Sequence, residues 1–171
     1  MDVLQAMWKE MESTTAVRFQ DCDSFQHLNN ARYIDYMLNA WEDQLKNFFD
    51  FSLFEHIKLN NAGWVVVRTQ IAYLHPAALS EEVTIKTRLV QLAESNIVVE
   101  AMMLDRDQKR PKALAWVEFT YISLTTRRPV KHTEESMGMF EVMYEPEQYA
   151  DGFDQRLENV KYHYRNLAAE V

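Results

Sequence analysis

The chain has 171 residues, the length of one domain. An apolar fraction of 47% with 26% charged residues excludes a disordered or fibrous chain, and a net charge of −8 excludes a general nucleic-acid binder. With only 3 Gly, 4 Pro and 1 Cys, it holds no Gly-rich phosphate loop, no intramolecular disulfide and no Cys-based zinc cage, and a reducing cytoplasm is the expected setting.

Residues 1–17 (MDVLQAMWKEMESTTAV) carry acids and lack a basic stretch followed by an apolar run, so no secretory signal is expected. The first dozen read as a short amphipathic lead-in. Residues 15–20 alternate loosely and predict a first strand, which the polar run DCDSFQHLNN interrupts. Asn29 or Asn30 is a good N-cap, because its side chain can accept a bond from a free amide of the first turn. Ile34, Met37, Leu38, Trp41, Leu45 and Phe48 then recur at three- and four-residue spacing, with Arg32, Asp35, Asn39, Glu42, Asp43 and Lys46 on the other face. This predicts an amphipathic helix of about five turns whose stripe needs a large partner surface. A short second helix is predicted over 51–57.

Four strands follow. Residues 63–75 place Val65, Val67, Thr69, Ile71 and Tyr73 on one face. Residues 82–92 place Val83, Ile85, Thr87 and Leu89 against Lys86 and Arg88. Residues 97–105 are apolar apart from Glu100 and the terminal Asp105, and 112–125 alternate through Leu114, Trp116 and Glu118 against Ala113, Ala115 and Val117. The longest apolar run, Trp64 to Val67, is far too short to span a bilayer. Short polar breaks join the last three strands and predict antiparallel pairing. The tail predicts helices over 137–143 and 149–167. The expected architecture is α+β, an antiparallel sheet of about five strands wrapped around one long helix, with Trp41 and Trp116 packed between them. The expected division is a domain over 1–132 (core 13–131), with 133–171 a helical extension packed on it.

One segment concentrates chemistry: DCDSFQHLNNARY, residues 21–33. Two carboxylates, an imidazole and two amides precede a helix start, where free N–H groups and partial positive charge favour an anion. A carboxylate beside oxyanion donors is what acyl transfer to water requires. Asp and Asn are also common caps and turn formers, and local composition alone favours that plainer reading. Cys22, between two acids, reads as a packing residue, since flanking carboxylates disfavour its thiolate. The five His have no metal-ligand spacing, and no GxSxG elbow is present. No metal or cofactor is expected.

The pattern Asp-x-Asp-x-x-x-His-x-Asn-Asn-x-x-Tyr, opening a long helix, resembles the hotdog-fold thioesterases, more narrowly the 4-hydroxybenzoyl-CoA thioesterase-like acyl-CoA thioesterases. QHLNNARYIDYM also resembles the corresponding motif of plant-type acyl-ACP thioesterases. The run WVVVRTQIAYLHPAALSEEVTIKTRLVQLAESNIVVEAMML, with Pro76 closing its first strand, is similar to the family's central strands, and TRRPV after the last strand extends the likeness over roughly 13–131. The sequence departs from the pattern at Gln26, where many relatives have Gly. It departs from the plant-type set at Phe25, where they have Asn, and in lacking an acid near Ala72 to Pro76.

The resemblance implies that Asp23 attacks the thioester carbonyl or activates a water to do so. It further implies that the Asn30 amide meets the oxyanion and that His27 orients the thioester or the water. Asp21 and Asn29 would shape the loop, with Phe25 and Tyr33 beside the substrate. Arg127, Arg128 and Lys131 form one basic cluster and Lys109, Arg110 and Lys112 a second; either could meet CoA phosphates, and the first holds the family position, whereas the second reads equally as a solvated turn. The partner is an acyl-CoA, with neither nucleic acid nor membrane. A homodimer or homotetramer with the active site at the subunit interface is expected. An acyl-ACP thioesterase and a non-catalytic acyl-CoA-binding hotdog protein are the alternatives.

Overall fold

The five strands form one antiparallel sheet in the order β1-β3-β4-β5-β2, in a computed structural model that describes residues 10–146 and 151–169. The strands are β1 (Met11–Ala16), β2 (Ala62–Tyr73), β3 (Glu82–Leu92), β4 (Asn96–Asp105) and β5 (Pro111–Ser123). The helices are α1 (Tyr33–Phe49), α2 (Leu53–Asn60), α3 (Glu134–Met143) and α4 (Gly152–Ala169). This is the α+β hotdog arrangement, with α1 lying along one face of the sheet.

The core has two layers. On the face toward α1, Leu89 of β3, Ile97 and Val99 of β4, and Val117 and Phe119 of β5 meet Trp41 and Leu45. Farther along that face, Val83, Ile85, Ala101, Met103, Ala113 and Ala115 meet Met37 and Ala40. On the opposite face Val98, Met102, Leu104, Leu114 and Trp116 lie beneath Phe153 and Val160 of α4. Being covered on both sides explains why β4 reads as an almost unbroken apolar run rather than an alternating one. One polar tie fixes α1 on the sheet: buried Gln44 donates to Ser13 Oγ (2.9 Å) and to the Ile85 carbonyl (3.0 Å) and accepts from Thr87.

Several expectations are corrected. The first strand lies at Met11–Ala16, not 15–20; Phe19, which suggested strand, is 82% exposed in a 3₁₀ turn. Only Met11 of β1 is fully buried, so an edge strand of small polar residues leaves almost no alternation to read. The amphipathic lead-in falls largely on residues outside those described. In β2 a bulge between Val66 and Arg68 switches faces: Trp64 and Val66 oppose Tyr121 and Phe119, whereas Thr69, Ile71 and Tyr73 oppose Val117, Ala115 and Ala113. Val65 therefore does not share a face with Ile71. Trp116 packs not against α1 but on the outer face, edge-on to Phe153 at 5.5 Å. The helices predicted over 51–57 and 137–143 run Leu53–Asn60 and Glu134–Met143, and the last spans Gly152–Ala169. Met139, Phe140 and Met143 of α3 join the cluster around Trp41.

Candidate active site

The loop before α1 is a small folded object. Asp23 N donates to the His27 carbonyl (2.8 Å), and Gln26 N to the Asp23 carbonyl (3.1 Å). Asp23 Oδ1 accepts from the amides of Phe25 (2.9 Å) and His27 (3.2 Å), so one carboxylate oxygen holds the turn and Oδ2 is left for other work. Gln26 sits at φ 61°, the left-handed region that glycine adopts without strain. That is a physical reason for the Gly many relatives carry at this position. The turn is pinned from outside by Leu28 N to the Ala77 carbonyl and Leu79 N to the Gln26 carbonyl, both 2.8 Å.

Asp21 is tied up elsewhere. Its Oδ2 accepts from Tyr36 OH (2.8 Å), Oδ1 lies 3.8 Å from Arg32 Nε, and its carbonyl accepts from Asn29 N (2.9 Å). Asn29 caps the 3₁₀ turn Asn30–Arg32 that leads into α1, its Oδ1 accepting from Ala31 N (3.0 Å). Arg32 N is taken by the Asn29 carbonyl, which leaves the Asn30 amide as the donor available at this helix end. Desolvation and then the Asp23 and Asp21 carboxylates hold the Cys22 thiol above its ordinary pKa, so it is not an activated nucleophile.

Asp23, His27 and Asn30 line one cavity of about 230 Å³, together with Tyr33, Tyr73, His75 and Pro76. Tyr33 is buried; its hydroxyl accepts from Ala77 N (3.1 Å), and burial raises its pKa. Tyr73 crosses Tyr33 edge-on at 5.3 Å and donates to the Asn30 carbonyl (2.9 Å), anchoring the helix start to the end of β2. His75 Nδ1 donates to the Pro111 carbonyl (2.8 Å), which fixes its ring. Sequence reading did not select Tyr73 or His75; the only signal for them was their place just before Pro76, which ends β2.

The other candidates lie apart. Phe25 is 77% exposed at the loop tip and is not among the residues lining the cavity of Asp23. Arg127, Arg128 and Lys131 follow β5 beside the start of β2, where Ser123 N donates to the Arg128 carbonyl. Asp23 is at the other end of both strands, so about 40 Å of strand separates the two groups in one chain. Lys131 is paired with Glu94 at 2.8 Å.

Near the start of β2 a second, apolar cavity of about 190 Å³ opens between α1, α2 and the sheet. Leu38, Trp41, Leu53, Ile57, Trp64 and Phe119 line it, with Glu42. Behind it His56, Tyr121 and His132 pack around Trp64; burial lowers the pKa of both imidazoles. Among the described residues no group of three or more His, Cys, Asp or Glu is arranged to hold a metal ion. No described helix is long and apolar enough to cross a membrane.

Residues 17–140 match the family model of the thioesterase-like superfamily. The long-chain acyl-CoA thioesterase FadM of Escherichia coli is 31% identical over 118 residues, 69% of this chain and 87% of that protein. The crystal structure of Escherichia coli YbaW is 30% identical at TM-score 0.67, covering 78% of this chain and 98% of that one. A 1,4-dihydroxy-2-naphthoyl-CoA thioesterase from Synechocystis shares the fold at 14% identity, TM-score 0.71, covering 77% of this chain and 95% of the other.

Proposed function

Since the chain belongs to the thioesterase-like superfamily and is a hotdog-fold thioesterase, we propose that it hydrolyses an acyl-CoA to the free acid and CoA. The observation that carries this reading is the meeting of Asp23, His27 and the start of α1 at one cavity. The Asp23 carboxylate, held through Oδ1, uses its free oxygen to take a proton from a water as that water attacks the thioester carbon, or attacks that carbon itself. The Asn30 amide faces the oxyanion, and the His27 imidazole orients the reacting groups. Collapse of the tetrahedral intermediate expels the thiolate, a good leaving group. On the water route the thiolate recovers the proton from Asp23; on the direct route a water hydrolyses the acyl–Asp23 anhydride, releasing the acid, restoring the carboxylate and supplying the thiolate's proton. The relative named as a long-chain acyl-CoA thioesterase supports CoA as carrier. The net charge of −8 disfavours docking of an acidic acyl carrier protein.

The active unit in this reading is a homodimer. β2 is an edge strand of 12 residues with Val65, Val66 and Val67 exposed at 38, 47 and 52%. Such an edge is a template for a second strand. Two-fold antiparallel pairing of β2 with its copy sets the start of one strand beside the end of the other. The second copy's Arg127, Arg128 and Lys131, and its apolar cavity, then come to this chain's Asp23. That cavity takes the acyl group, with those cations beside it. Because α4 already covers the outer face of the sheet, back-to-back stacking into a tetramer is disfavoured. Phe25, exposed at the loop tip, faces this seam. The described part of the segment 133–171 belongs to the same folding unit, and the single cysteine fits a cytoplasmic enzyme.

The test is thiol release from an acyl-CoA series of increasing chain length, with acyl-ACP beside it and light scattering to give the mass. Turnover of acyl-CoA by a dimer is expected; tight binding of every thioester without turnover contradicts the proposal.

A further inference from the structure

Next to the Asp23 cavity, on the other side of Leu74 and His75, lies a second hollow of about 350 Å³ that shares those two residues with it. Its rim is basic. The turn between β4 and β5 supplies Lys109 and Arg110, and α4 supplies Lys161 and Arg165. Lys161 is paired with Glu158 at 2.7 Å, and Arg165 also acts on that carboxylate. Two acids flank this turn: Asp105, whose Oδ1 accepts from the backbone amides of Lys109 (2.8 Å) and Arg110 (3.0 Å), and the exposed Asp107, which does not line the hollow. On a chain of net charge −8, four cations around one concavity are a local reversal of sign. Pro111 and the ring of Tyr164 give the hollow an apolar wall as well.

The cations of α4 are placed by a built contact rather than by chance. Arg156, five residues before Lys161, donates to both oxygens of Glu100 (2.9 and 2.8 Å), and that carboxylate is 1% exposed in the middle of β4. Phe153 and Val160 bury the same side of the helix against the sheet. Residues 152–169 lie beyond the stretch matched by the family model.

We propose that this hollow binds the nucleotide phosphates of the acyl-CoA, with Lys109, Arg110, Lys161 and Arg165 as the phosphate contacts and Tyr164 against the adenine. The inference rests on the acyl-CoA reading above. Guanidinium and ammonium groups are the side chains suited to phosphate, and an aromatic ring beside them suits a purine. The wall formed by Leu74 and His75 is where the pantetheine arm crosses to carry the thioester to Asp23. The nucleotide end thus binds on the outer side of the sheet, under the last helix.

The experiment compares an acyl-CoA with the S-acyl-N-acetylcysteamine thioester of the same acyl group, which has the reacting carbonyl and no nucleotide. In the double variant Lys161→Glu, Arg165→Glu, KM for acyl-CoA rises on the order of tenfold or more while kcat changes little. The kcat/KM for the small thioester stays at its wild-type value, which also reports that the variant is folded. The conservative variant Lys161→Arg, Arg165→Lys restores KM for acyl-CoA. In the wild type, KM for acyl-CoA climbs with salt and that of the small thioester does not. An unchanged KM for acyl-CoA in the charge-reversed variant, or an equal loss on both thioesters, overturns the phosphate assignment and leaves the hydrolase reading standing. Wild-type protein that cleaves neither thioester overturns the hydrolase reading itself, and this one with it.

Discussion

On one face of the sheet, Trp41 and Leu45 of α1 meet Leu89, Val99 and Val117 in a core tied by a single amide, Gln44. On the other face, α4 meets Leu114, Trp116 and Val98, and a carboxylate lies buried among them. Glu100 there receives Arg156, the Trp116 indole N–H (2.9 Å) and, at 3.5 Å, Arg88. Apolar contact holds the first helix wherever the shapes fit, because burial is not directional. A buried charge pair holds the second at one register, because any other leaves ions without partners. The face with α1 frames the reacting loop, whereas the face with α4 places the cations of the basic hollow.

The sharpest way to break this contrast is to cut each side separately. Trp41→Ala removes a buried ring shared by the core and the apolar cavity, and is expected to cost about 3–5 kcal/mol in denaturant unfolding. Glu100→Ala takes the bidentate carboxylate from Arg156, while Arg88 keeps Glu10 and Glu145, and is expected to cost about 3 kcal/mol. The distinction lies in repair. Glu100→Met with Arg156→Met should recover most of that stability, yet KM for acyl-CoA should stay high because α4 loses its register. A double variant that remains unstable would show that the charge pair is not replaceable by packing.

A smaller effect concerns pH. Burial lowers the pKa of His56 and His132. The unfolded chain therefore binds protons at a higher pH than the folded one does. The stability this confers is complete above the ordinary imidazole value near 6.5 and is lost as pH falls through the depressed folded values. Tm should decline from pH 7 to pH 5, and less steeply in His132→Gln. An equal slope in that variant would assign the decline to other groups.

The smallest expected change is at Gln26. Replacing a residue held at φ 61° by Gly removes a left-handed strain of about 1–2 kcal/mol and adds backbone entropy to the unfolded chain. Gln26→Gly should shift Tm by only a few degrees and keep activity. A large loss of activity would mean that the side chain itself takes part.

Much of this arrangement is legible in the sequence where alternation and burial coincide. β3 spans Glu82–Leu92, as its alternation predicts, and its inward residues Val83, Ile85 and Leu89 are fully buried. The candidate loop was legible because Asp, His and Asn crowd before a helix start, and the three chosen reacting residues do line one cavity. What escaped has a physical reason in each case. The bulge at Val67 switches faces within a run of similar residues, so no pattern marks it. Trp116 looks like core from either side of the sheet, and only the docking of α4 decides which. Tyr73 and His75 reach the site through tertiary contacts with Asn30 and Pro111, which local spacing cannot carry.

The most direct measurement is steady-state hydrolysis of an acyl-CoA by Asp23→Asn. Asparagine keeps the oxygen that accepts the amides of Phe25 and His27, so the loop persists while the basic oxygen is gone. If Asp23 is the reacting carboxylate, kcat falls about 10²–10⁴-fold with acyl-CoA binding and Tm retained. Hydrolysis at the wild-type rate would contradict that role.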